Sequence, residues 1–239
     1  MQKLYEKNKL HFALGWIPIY VVGTSIADEL SRTIGMEKSI TLPWLAALTL
    51  YSYLWLRRQA LTVEYGICRS GIPASCMLYY LPLVLLCSCN LWHGVTLNLS
   101  ITESLFYVGS MICVGWLEEL IFRGFLFKAM AENELRSAVI VSSVTFGIGH
   151  IVNLFNGSGA ELLSNLCQVV YAVAIGLLFV LIFLRTGSLS PCILTHSIVN
   201  ALSAFANTST RTPAQTVTMA VIITAISLGY AFWLHRQDR

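Results

Sequence analysis

Eight apolar runs follow one another along the chain, at about 10–28, 39–56, 73–92, 101–128, 136–154, 162–184, 188–206 and 213–234. About 20 apolar residues in a helix cross the roughly 30 Å hydrocarbon core of a bilayer. In lipid the backbone must satisfy its own hydrogen bonds, and consecutive runs of this length do so as helices. The expectation is an all-α fold: a polytopic membrane bundle of about eight transmembrane helices, one integral-membrane domain over 1–239. Only 11% of the residues are charged, against roughly 25% in a soluble domain. The first run lacks a small-residue cleavage site and reads as a retained helix.

The few basic residues sit at the ends of the runs. With eight spans, one side holds Lys3, Lys7, Lys9, Arg57, Arg58, Arg69, Lys128, Arg136, Arg185, Arg236 and Arg239, and the other holds Arg32, Lys38 and Arg211. That is 11 against 3, and Arg123 inside a run completes the 15. Such a bias places both termini in the cytoplasm. Dispersed basic residues also argue against a nucleic-acid partner. Seven cysteines without a paired CxxC framework read as small buried hydrophobes.

Ionisable groups at membrane depth are costly and usually mark function. The stretch WLEELIFRG, 116–124, carries three of them. Glu119 and Arg123 are four apart and share a helix face, so they can pair. Glu118 is turned about 100° away and is left as the carboxylate free for chemistry. His150 closes FGIGH, with Phe146 one turn before it and with Gly147 and Gly149 small enough to admit a neighbouring helix. His196 and Asn200, in HSIVN, share a face. At 1.5 Å per residue, Glu118 lies about 15 Å in from Lys128, His150 about 21 Å in from Arg136, and His196 and Asn200 roughly 12–20 Å in from the turn at 185–191. Helices running in alternate directions bring these groups to overlapping depths.

A carboxylate, two imidazoles and an amide suit amide hydrolysis. A buried glutamate can take a proton from water, and His196 with Asn200 can donate to the oxyanion that forms on the carbonyl. No HExxH and no GxSxG occur, so the common zinc-protease helix and the nucleophile elbow are absent. A zinc site from Glu118, His150 and His196 stays open on ligand chemistry.

EELIFRG, FGIGH and HSIVN resemble, in order, the EExxxR, FxxxH and HxxxN motifs of the CAAX-protease and bacteriocin-processing-enzyme family, which includes the type II CAAX prenyl endopeptidases. The resemblance covers about 101–206, the expected catalytic core. It implies an eight-helix fold with a cavity and an intramembrane endopeptidase working through glutamate-activated water. By position it makes Glu118 the base, supported by Glu119 and Arg123. His150 assists the water, and His196 and Asn200 bind the oxyanion. No cofactor is favoured, since HExxH is missing, and zinc is the alternative. The implied partners are the lipid bilayer and a peptide or protein substrate cut close to the membrane. The short loops point to a bacterial inner or plasma membrane. Two other readings use the same residues: a non-catalytic scaffold or peptide-binding immunity protein, and a proton-coupled transporter, for which repeated halves are lacking.

Overall fold

The computed structural model describes residues 2–157, 159–209 and 211–237, and in this range the regular structure is helical. The helices are α1 (Gln2–Lys7), α2 (Lys9–Ile34), α3 (Thr41–Arg58), α4 (Leu81–Cys87), α5 (Ile101–Ala131), α6 (Leu135–Gly149), α7 (Leu162–Thr186), α8 (Ser190–Leu202) and α9 (Pro213–Arg236). Six segments are long and apolar enough to cross a membrane: α2, Ala74–Leu91 with α4 inside it, α5, α6 (to Leu154), α7 and α9. The expected spans at 39–56 and 188–206 are also helical. However, α3 has 18 residues interrupted by Thr49 and Ser52, and α8 has only 13. Thirteen residues reach about 20 Å, short of the hydrocarbon thickness. Arg239, counted above on the cytoplasmic side, lies outside the described residues.

The run at 73–92 is not the continuous helix that its hydropathy suggests. Leu78, Tyr79 and Tyr80 all have positive φ, at 50°, 53° and 57°, a region that side chains with a Cβ enter only at a cost. Pro82 sits in the first turn of α4, where a proline can start a helix but not continue one. Tyr230 of α9 steadies the break by donating to the Met77 carbonyl at 2.7 Å.

Local signals place the ends of the core helices. Ser100 and Glu103 form a reciprocal capping box at the start of α5, and Thr212 and Gln215 do the same for α9, with Pro213 in its first turn. Glu134 caps α6 by accepting from the backbone N–H groups of Arg136 and Ser137. The bonds from Ser137 and Arg136 hold its carboxyl below the usual glutamate range. Gly187, at φ 65°, closes α7 in the left-handed conformation.

Helix α7 packs between α6 and α9, while α8 lies on α5, and α5 also meets α3. Small residues make the two crossings that matter for the site. A Cβ on Gly115 of α5 would come within 2.8 Å of the Ser197 backbone nitrogen of α8. One on Gly147 of α6 would come within 2.7 Å of the Val173 nitrogen of α7. Both therefore allow backbone-to-backbone approach. Gly149, expected to share that role, faces open space and does not.

Candidate active site

Helix α5 is not uniform. Residues Leu120–Leu126 form a π turn, entered directly after Glu119. The Phe122 carbonyl accepts both from the Phe127 N–H, five residues on, and from Ser142 Oγ of α6 at 2.8 Å. A π turn of this kind often marks a functional site. Here it widens the helix where the buried arginine sits, and Glu119 and Arg123 still meet across it.

The pair lies in the dry interior. Arg123 Nη1 donates to Glu119 Oε1 at 3.2 Å, and both side chains are 0% exposed. The guanidinium stacks over the Phe146 ring at 3.9 Å, a contact worth up to about 2 kcal/mol when water is excluded. From α8, His196 reaches the same carboxylate oxygen through Nδ1 at 2.8 Å. Donation from Nδ1 orients the ring, so that Nε2 faces Glu118 Oε2 at 3.6 Å. Phe146 also meets the His196 ring edge-on, with centroids 5.6 Å apart.

Glu118 belongs to different surroundings. Its side chain keeps 15% of its exposure and lines a cavity of about 530 Å³ together with Tyr20, Phe146, His150, His196 and Asn200. The His150 Nδ1 is 3.0 Å from the Phe146 carbonyl and donates to it, which leaves Nε2 as the acceptor in the neutral ring. His150 lies within electrostatic reach of Glu118 and His196. The Asn200 amide has no hydrogen-bond partner among the described residues. Thus Glu119, Arg123, His196 and Glu118 meet directly, whereas His150 and Asn200 join them through the cavity wall.

Two contributors have no place in the sequence motifs. Tyr20 Oη donates to Glu118 Oε1 at 2.6 Å. It sits on one face of α2 with Phe12 and Trp16, eight and four residues before it. Those two rings grip Phe125 of the π turn, at 5.0 and 5.9 Å, and so set Tyr20 beside Glu118. An aromatic stripe at four-residue spacing was the available signal. Asn165 of α7 is 2% exposed and donates to the His150 carbonyl at 2.8 Å, fixing the end of α6. A lone asparagine near a helix start carries no such signal. Trp55 is 8% exposed and stacked on Phe12, so it belongs to the same aromatic cluster.

Zinc requires three or four donors at about 2.0–2.3 Å around one point. Among the described residues, no three His, Cys, Asp or Glu side chains form such a set. His196 Nδ1 is engaged by Glu119, and Glu118 Oε1 by Tyr20. Among the described residues the donors do not fit a zinc site as they stand.

A helical membrane protein with a buried ion-pair network behind a carboxylate-lined cavity defines the class. Within that class, residues 100–202 match the model of the Rce1-like family, type II CAAX prenyl endopeptidase Rce1-like. This segment is therefore similar to the type II CAAX prenyl endopeptidases of that family. No curated protein and no solved structure gave a match.

Proposed function

We propose that this protein is an intramembrane endopeptidase in which Glu118 activates the attacking water. The observation that carries the reading is one continuous relay, Arg123 to Glu119 to His196, ending against a carboxylate on the wall of a cavity large enough for a peptide. Glu118 removes a proton from water, and the hydroxide adds to the scissile carbonyl carbon. The oxyanion takes a hydrogen bond from the Asn200 amide, and a second from His196 Nε2–H when that ring carries both protons. Glu118 then passes its proton to the amide nitrogen, the C–N bond breaks, and an amine and a carboxylic acid leave. His150 Nε2, the acceptor of its neutral ring, takes a second hydrogen bond from the attacking water and orients it. Tyr20 holds Glu118 in the rotamer that faces the cavity. Glu119 and Arg123 act through His196 and touch no substrate.

The test uses detergent-purified protein and a peptide library read by mass spectrometry. Wild type should generate defined new termini that Glu118→Gln does not. Identical peptide profiles from the two proteins would sink the assignment and leave the scaffold reading.

The same reading places both termini in the cytoplasm, supported by the 11-to-3 distribution of basic residues. Reporter fusions after Asn8 and at the C-terminus should then score on one side and a fusion at Gly157 on the other. Termini on opposite sides would require an odd number of crossings and overturn this orientation.

A further inference from the structure

The cavity that Glu118 lines is also lined by polar groups that the proposed chemistry does not use. Two cations line it, Lys38 and Arg211. Lys38 is neutralised, since its Nζ lies 2.8 Å from Asp28 Oδ1 and the same oxygen accepts from Thr41. Arg211 differs. Its Nε and Nη2 are shut off from solvent and have no hydrogen-bond partner, and it forms no ion pair among the described residues. It lies within electrostatic reach of Tyr171 and Cys89. Asn165 Oδ1, on the same cavity wall, is likewise buried and unpartnered.

Position on the chain makes this cation a built feature and not a loose surface group. Asn98 Nδ2 donates to the Ala204 and Ala206 carbonyls at 3.1 and 3.0 Å, and Asn207 N–H donates to Gly94 O. Directly after Arg211, the Thr212 capping box starts α9. Asn207 before Arg211 and Thr212 after it are thus each held by hydrogen bonds. A guanidinium with desolvated, unpaired N–H donors is expensive to keep, and an anion placed there recovers that cost through charge-assisted hydrogen bonds. The vacant acceptor on Asn165 complements a peptide N–H.

We infer that Arg211 forms a carboxylate-binding subsite on the wall of the cavity that Glu118 also lines, which anchors one end of the peptide while Asn165 Oδ1 accepts a backbone N–H. This deepens the endopeptidase reading and rests on it for the meaning of the bound peptide. The carboxylate comes either from the free end of the chain or from an acidic side chain.

Binding without turnover tests it, with full-length protein carrying Glu118→Gln in detergent and N-trifluoroacetyl-tri-leucine as the ¹⁹F NMR probe. The free acid should bind about tenfold or more tightly than its C-terminal amide, a difference of roughly 1.4 kcal/mol or more. Adding Arg211→Gln should bring the acid down to the amide, while Arg211→Lys should retain most of the preference, with unchanged melting temperatures in both. A third probe, the amide ending in glutamate, identifies the source. If it binds like the acid, the subsite takes any carboxylate, and if it binds like the plain amide, the subsite reads the chain end. Equal binding of acid and amide, binding of neither in the millimolar range, or a preference that survives Arg211→Gln would overturn the inference. Failure of cleavage by the wild type, with the Arg211 preference intact, would instead count against the endopeptidase reading alone.

Discussion

Glu118 and Glu119 are neighbours in sequence and belong to different regions of the molecule. Glu119 is sealed from solvent, paired with Arg123 and bonded to His196. Glu118 faces the cavity and is held by one hydroxyl, from Tyr20. The 100° between successive residues of a helix is all that separates an anion locked into packing from one that water can reach. The comparison teaches how a membrane protein keeps a reactive carboxylate. The paired glutamate, arginine and histidine behind it stabilise one another in the dry core, and Glu118 itself remains available.

The most direct way to break the comparison is to neutralise each glutamate in turn. Glu118→Gln should lower turnover by roughly 10²–10⁴ and leave the melting temperature unchanged. Glu119→Gln leaves Arg123 buried beside a neutral amide, and removing one partner of a buried pair costs about 3–5 kcal/mol. It should appear chiefly as loss of folded protein in a thermal or denaturant assay. Similar stability losses in both variants would mean that the two sites are not distinct.

On the cavity side, Asn200→Ala should cut kcat by roughly 10²–10³ if the amide meets the oxyanion. KM should move little, because that contact forms in the transition state. The same preparation bears on zinc. Activity should survive exhaustive chelation, and about one zinc per chain whose removal abolishes activity and whose return restores it would replace this scheme with a metal-based one.

The smallest expected effect falls on Tyr20. Tyr20→Phe deletes one hydrogen bond to a charged group, worth about 1.5–3 kcal/mol, and leaves the ring packed in α2. A fall in kcat of roughly 10-fold or more, with KM held, sharpens the picture of Glu118 as a positioned base. A rise in KM alone would make Tyr20 a wall of the binding site.

The amino-acid sequence by itself determined that this chain is a helical membrane protein. Apolar runs of about 20 residues permit little else in lipid. It also determined that Glu119 and Arg123 pair and that Glu118 points elsewhere, because these follow from helical periodicity within one segment. Positions 100–202 further carried the family pattern. Tertiary structure alone decided that His196 bonds to Glu119 while also facing Glu118, that Tyr20 from a helix 98 residues away closes on Glu118, and that Arg211 enters the cavity. It also decided the π turn after Glu119 and the break at 78–80. Hydropathy and spacing report on one helix at a time. These features come from crossings between helices, set by glycines such as Gly115 and Gly147 that let two backbones touch and by carbonyls such as Phe122 O that a neighbouring helix shares.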